Sequence, residues 1–357
     1  MNRRFTDRRQ LLKGAALGAA AIAAPQVLIS RKTRAAETLA VRDPGGPFTK
    51  AFSEAYYKPF SEKYGVEVVG VTSKHEATAE IVAQVETGTF QYDVTILGEQ
   101  SHNTLAGGGF LDPIGLDDVA AVQEIPAEFK HPTMVGNDVY ATVLAYRTDA
   151  KLPKEPTSWA DLWDVEGMPG RRGMRNYPFD TIEIGLLGGA GVPADKVYPC
   201  DFDKAYEALG KVRPAVDVWW TGGAQTSQLL ATGEVDICQA WNGRAQAAID
   251  GGAPVKIAWG KALWGFEGWC LLKGNPKNDL GRKFIAFAAE AQNQANFTPY
   301  VAYGPTNPGA YKFIDPKRAE ILTTNPKYFA DMVAINSDFW GPIKDKAVER
   351  WKNWMLG

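Results

Sequence analysis

Glu234-Val235-Asp236-Ile237-Cys238-Gln239-Ala240-Trp241-Asn242-Gly243-Arg244 reads as one structural unit. Val235–Ala240 has the β-branched and apolar content of a buried strand, Trp241-Asn242-Gly243 is a turn, and Gly243–Asp250 has helical spacing. A strand that passes through a glycine turn straight into a helix is half of a βαβ unit. The same arrangement recurs on both sides. β-type runs occur at Thr38–Val41, Val66–Val71, Tyr92–Leu97, Val139–Tyr146, Ala215–Trp219, Pro254–Ala258 and Gly268–Leu272. Helical patterns lie between them, at Phe48–Tyr64, Ala77–Thr87, Phe202–Arg213, Ala224–Thr232 and Asp279–Glu290. Such alternation predicts an α/β protein with mostly parallel sheets. A helical block at Pro316–Thr323, Lys327–Ala334 and Ile343–Met355 closes the chain.

The chain has 357 residues, 45% hydrophobic and 22% charged, which fits a globular protein of two domains or lobes. Eight of its 39 Lys/Arg and one of its 41 acids fall in residues 1–35, so the remainder carries 31 bases against 40 acids, a net charge of −9. An acidic body argues against nucleic acid as a partner, because phosphate binding needs clustered cations.

The amino terminus reads as an export address. Asp7-Arg8-Arg9-Gln10-Leu11-Leu12-Lys13 precedes an Ala/Gly-rich run of about 16 residues from Gly14, broken by Pro25. The paired arginines suggest the twin-arginine route, and Thr33-Arg34-Ala35 supplies small residues for cleavage after Ala35. The run is too short and too weakly apolar for a membrane span. Cys200, Cys238 and Cys270 are odd in number and lack CxxC spacing; Cys238 and Cys270 read as apolar fillers inside strands. His75, His102 and His131 are far apart with no metal-ligand spacing, so each is expected at the surface or locally satisfied, and neither a metal nor a cofactor is expected.

Ligands of open α/β sheets lie beyond the carboxyl ends of the strands. Those ends carry Arg42-Asp43-Pro44-Gly45-Gly46, Gly98-Glu99-Gln100-Ser101, Trp220-Thr221-Gly222-Gly223 and Trp241-Asn242-Gly243-Arg244. Polar, glycine-rich turns leading into helices suit polar or anionic ligands, and the indoles beside them need burial or offer a platform.

Five stretches follow one another in order: Tyr92-Asp93-Val94-Thr95-Ile96, Trp159-Ala160-Asp161-Leu162-Trp163-Asp164, Glu234 through Gly243, Trp264-Gly265-Phe266-Glu267-Gly268-Trp269 and Tyr303-Gly304-Pro305-Thr306-Asn307. Together they resemble the extracellular solute-binding proteins of ABC importers, specifically the spermidine/putrescine-binding branch. The resemblance spans nearly the whole chain after residue 35. It implies a two-lobed periplasmic-binding-protein type II fold, with mixed sheets flanked by helices and a hinged cleft. Lobe 1 would hold residues 36–147 and 264–303, and lobe 2 residues 148–259 and 310–357, with crossovers near 139–147, 259–272 and 303–308.

A polyamine site needs carboxylates for the ammonium groups and aromatic walls for the methylenes. The walls are present as Trp241, Phe266, Trp220 and Trp264, with Tyr177 and Tyr303 nearby. The acids depart from the family pattern. Gly268 stands where the family places an acid, with Glu267 one position earlier. Arg175-Asn176-Tyr177 replaces paired acids, and Arg244 follows Trp241-Asn242-Gly243. Two arginines point to a ligand bearing a carboxylate, with Asp43, Glu99 or Glu267 left to receive an amine; Gln100, Thr221 and Asn242 complete the expected polar lining. Arg244 could instead face solvent or pair with Asp250, and Arg171 and Arg172 read as surface charge.

The expected function is therefore the periplasmic, substrate-binding component of an ABC transporter. It would capture a small polar solute, amino-acid-like or carboxylate-bearing, and hand it to permease subunits without chemistry. A true putrescine or spermidine binder is the alternative. An exported enzyme lacks support, since no GxSxG, HExxH or Ser/His/Asp set is present. A ferric-ion binder would need clustered tyrosines, and Tyr56-Tyr57 lies within an amphipathic helix. A clamp that must open freely predicts a monomer.

Overall fold

A computed structural model describes residues 37–73 and 77–357; the expected export signal and His75 lie outside the described residues. Twelve strands form one open sheet: β1 Thr38–Asp43, β2 Glu67–Thr72, β3 Val94–Gly98, β4 Leu111–Asp112, β5 Lys130–His131, β6 Met134–Arg147, β7 Arg172–Arg175, β8 Val216–Trp220, β9 Ile237–Trp241, β10 Val255–Leu272, β11 Gly304–Pro305 and β12 Val333–Ala334. The main path runs β2-β1-β3-β10-β6-β9-β7-β8. Its flanks, β2-β1-β3 and β9-β7-β8, are parallel as the βαβ alternation predicts. The three central joins, β3 to β10, β10 to β6 and β6 to β9, are antiparallel. The sheet is thus mixed because two long strands return through its middle.

Those two strands carry the architecture. β10 is a single strand of 18 residues, where the sequence suggested two short ones. Its ladder with β6 slips between Ala258 and Leu263. In that slip Lys261 takes a positive φ of 55°, a conformation that a side chain disfavours. The irregularity is held from outside, because Trp159 donates its indole N–H to the Lys261 carbonyl at 2.8 Å and Lys261 pairs with Asp331.

Apolar residues collect in two main cores on either side of this crossing. One draws on Leu39 through Val139 and again on Phe266 through Tyr303. The other draws on Leu144 through Leu263 and on Val333 through Trp351. The closing block divides between a small separate cluster and the second core. Ala310, Ile314 and Leu322 pack with Ala295 and Ala302, whereas Trp340, Ala347 and Trp351 join the second core. Val333–Ala334, expected as the end of a helix, is the strand β12 paired with β10.

Strand β7 was absent from the sequence reading because Arg-Gly-Met-Arg has little β character. Its first residue also corrects an expectation. Arg172 is not surface charge: its side chain is buried, and its guanidinium donates to the carbonyls of Leu162 (2.9 Å), Gly170 (2.6 Å), Met168 (2.6 Å) and Asp164 (3.1 Å). Arg171 beside it is half exposed and pairs with Asp236 at 2.9 Å. All three cysteines are buried and unpaired. Tyr56 is buried in the first core with its hydroxyl on Asn137 (2.7 Å), which is the helix-face packing its spacing implied. No group of three metal-ligating side chains occurs among the described residues.

Candidate functional site

The turn after β9 builds one wall. Trp241 ends the strand, and the Asn242–Asp250 helix starts at once. Asn242 is fully buried: its side-chain oxygen accepts the Ala141 N–H at 2.9 Å, and its amide nitrogen donates to the Ala302 carbonyl at 2.6 Å. It therefore ties β6 to the segment before β11, and both ends of its amide are engaged by backbone. Two glycines allow the aromatic rings to close in. A Cβ on Gly223 would lie 2.6 Å from the Trp241 ring, and one on Gly243 would lie 2.7 Å from the Tyr303 ring. Trp220 is buried edge-on to Trp241 at 5.6 Å, its indole N–H on the Gln239 carbonyl. Thr221 is exposed, its backbone N–H on the Gln225 side chain.

Arg175 comes from the end of β7. Its guanidinium lies over Tyr177 (4.8 Å), Trp241 (4.9 Å) and Trp220 (6.0 Å). It pairs with Asp180 at 2.9 Å, and Asp180 also accepts the Thr142 hydroxyl at 2.9 Å. Asp180 holds a φ of 68°, so its backbone is strained where its carboxylate meets Arg175. Arg244 makes no ion pair among the described residues; Asp250, its sequence-level candidate partner, pairs with Arg318.

Tyr303 and Tyr140 stand where the walls meet, with ring centroids 6.0 Å apart. Burial raises the Tyr303 hydroxyl pKa, Glu267 pushes it further, and Arg244 opposes the rise. One hydroxyl thus lies in the fields of an acid on β10 and a cation on the far wall. Tyr140 is likewise raised, first by burial and then by Asp180, Glu267 and Glu99, against Arg175. Of the expected residues, Arg175, Tyr177, Trp220, Trp241, Arg244, Glu267 and Tyr303 come together, with Glu99 at the margin.

The rest sit elsewhere. Asp43 is buried at the end of β1, accepts the Gly45 N–H at 2.6 Å, and lines a cavity of about 520 Å³ with Tyr57, Gly70 and Thr72, beneath the first helices. Glu99 pairs with His131 at 3.4 Å, and His131 stacks on His102 (4.7 Å) and Phe266 (5.9 Å). The two histidines, distant in sequence, are thus neighbours. Burial raises the Glu99 pKa while His131 holds it down. Glu99 and Trp264 line a second cavity of about 400 Å³ with Glu128, Tyr198 and Asp338. Gln100 is half-buried in the first turn of the Glu99–Gly107 helix.

Sequence reasoning missed Asp138, Tyr140 and Asp180. Asp138 and Tyr140 are alternate residues of β6, so both face the side on which Glu267 lies directly opposite Asp138. The strand was expected to begin at Val139, one residue too late to include the acid. Asp180 gave no signal, because its role depends on a backbone conformation that nothing in Tyr-Pro-Phe-Asp announces.

The model for bacterial extracellular solute-binding proteins matches residues 55–330. The chain is similar to a γ-aminobutyric-acid-binding protein of Pseudomonas aeruginosa, 34% identical over 89% of this chain and 91% of that one. It is also similar to the spermidine/putrescine-binding periplasmic protein of Escherichia coli, 25% identical over 79% of this chain and 81% of that one. Among solved structures, an ABC transporter substrate-binding protein from Bradyrhizobium japonicum superposes with a TM-score of 0.84 at 32% identity, covering 89% of this chain and 99% of that one.

Proposed function

The chain belongs to the bacterial extracellular solute-binding proteins, and we propose that it captures a small ligand carrying both a carboxylate and an amine, for delivery to an ABC importer. One observation carries this reading: the Tyr303 hydroxyl is within the influence of both the Arg244 cation and the Glu267 carboxylate, so opposite charges act at the meeting point of the two walls. A carboxylate on Arg244 would form charge-assisted hydrogen bonds, worth about 1.5–3 kcal/mol each. Arg175 is balanced by Asp180 and reinforces the aromatic wall, so Arg244 is the cation that a ligand anion would meet. An ammonium group would meet Glu267. The similarity to a γ-aminobutyric-acid-binding protein supports a ligand with both charges.

In this reading the two cores are lobes that close by bending β6 and β10, and closure is the signal that the permease reads. Arg244, Trp241, Tyr177 and Trp220 serve one side of the ligand; Glu267 and Tyr303 serve the other. The protein performs no chemistry. It reaches the periplasm through a cleaved twin-arginine signal and works as a monomer beside its permease. Secretion by a strain lacking the twin-arginine translocon would refute that route.

Titration of protein starting at Ala36 tests the ligand class, with the eleven tryptophans as reporter. γ-Aminobutyrate and related ω-amino acids should change the fluorescence, and Arg244→Ala should abolish the change. Tight putrescine or spermidine binding that ignores Arg244→Ala would overturn the reading.

A further inference from the structure

Asp138 is the acid in this site that neither the motifs nor the resemblance pointed to. It is fully buried on β6, opposite Glu267 on β10, which is itself nearly so. Opposed residues of an antiparallel pair project to the same side, so two buried carboxyl groups are neighbours there. The surroundings are fixed by donors. The Tyr56 hydroxyl and the Trp269 indole both donate to the Asn137 side-chain oxygen, at 2.7 and 3.0 Å. That fixes the Asn137 amide, whose nitrogen donates to one Asp138 oxygen at 2.8 Å. The other Asp138 oxygen, Oδ1, is buried with no hydrogen-bond acceptor or donor settled upon it. The charged or titratable groups around Asp138 are Glu267 from β10, Tyr56 from the first helical segment and Tyr303 from the approach to β11; Arg244 acts on Tyr303 from beyond.

Two ionised carboxylates cannot occupy such a space together, and the more deeply buried of the two, Asp138, keeps the proton. Burial and Glu267 both push the Asp138 pKa well above the usual carboxylate range, against the Asn137 donor.

We propose that Asp138 carries a proton at neutral pH and acts as a positioning residue for Glu267, leaving a single negative charge to receive one ammonium group. This rests on the ligand reading above and narrows it to ligands with one ammonium and one carboxylate, such as ω-amino acids. A diamine would bring a second cation to a site whose acid pair carries one charge and whose opposite wall is cationic.

The test has two arms. Infrared difference spectra of ligand-free wild type against Asp138→Asn at pH 7 should show a protonated-carboxyl band that the variant lacks, the partly protonated Glu183 being common to both and cancelling. Absence of that band would overturn the proposal whatever the ligand proves to be. Calorimetric titration with γ-aminobutyrate should then find Asp138→Asn, a neutral isostere that keeps a donor, within a few-fold of wild type, and Asp138→Ala weaker by about tenfold or more. Equal loss in both variants would overturn it as well, since the asparagine should rescue a protonated acid. If the band is present but γ-aminobutyrate and putrescine both fail to bind wild type, the ligand reading falls and the protonated Asp138 stands.

Discussion

Neighbouring arginines in this chain should respond to the same substitution in opposite ways. Arg172→Met keeps most of the side-chain volume but removes a guanidinium that gathers four backbone carbonyls from Leu162 to Gly170. A buried carbonyl deprived of its donor costs about 1–3 kcal/mol, but the loop can relax and water can reach its outer end. We expect a loss of about 3–5 kcal/mol, the range seen when a buried charged group is taken from its partners. Arg171→Met removes a half-exposed pair with Asp236, while the Arg171 backbone N–H keeps its bond to the same carboxylate at 2.8 Å. That loss should stay under about 1 kcal/mol. Arg172→Lys should fall between, because one ammonium cannot span the fork. Equilibrium urea unfolding, with the denaturant slope checked for constancy, measures all three. Similar losses for the two methionine variants would show that the carbonyl cage contributes nothing specific, and the argument from burial would fail.

Other outcomes follow from the same geometry. Asn242→Ala should cost about 2–5 kcal/mol in urea, because the Ala141 N–H and the Ala302 carbonyl both lose a buried partner. Glu183 is buried, accepts from Tyr198 (2.6 Å) and Trp340 (2.5 Å), and has its pKa pushed up to about 7, chiefly by burial and then by Asp180. A raised acid pKa means that the fold favours the protonated form, so stability falls as pH rises from about 4.5 to about 7 and stays lowered above. Glu183→Gln should therefore be the more stable protein at pH 8 by about 3 kcal/mol, with the gap closing by pH 4 in thermal or urea unfolding. Gly223→Ala should weaken ligand binding by tenfold or more in the fluorescence titration, since its Cβ would displace the Trp241 ring, while leaving the far-ultraviolet circular dichroism unchanged.

Most of the fold was legible because strand and helix periods alternate cleanly and each strand end carries its own turn residues. β10 was not legible as one strand. Trp259-Gly260-Lys261 looks like a turn, and only contacts from Trp159 and Asp331, about 70–100 residues away in sequence, hold it in line. Arg172 misled for a related reason: its partners are carbonyls, which leave no trace in a sequence, whereas the Asp236 partner of Arg171 is at least a visible charge. At the site, the departures from the family pattern at Arg175 and Arg244 were visible as charge changes. Asn242 looked like lining because polar residues in turns commonly face ligands, yet here the two crossing segments need its amide. Asp43 failed to join the cluster because the Pro44-Gly45-Gly46 turn draws its carboxylate onto the Gly45 N–H.

The shared strands also govern when the molecule can finish folding. The first core is built partly from Leu39 through Val139 and partly from Phe266 through Tyr303. β3 has no neighbour on one edge until β10 arrives. At synthesis rates of about 5–20 residues per second, the roughly 170 residues between Gly98, where β3 ends, and Glu267, where its β10 partner segment begins, leave that edge unpaired for about 8–34 seconds. During this interval the nascent chain presents an open strand edge beside apolar side chains, the condition under which chains pair wrongly with one another. Completion of the fold is therefore a late, chain-length-gated event that waits for β10.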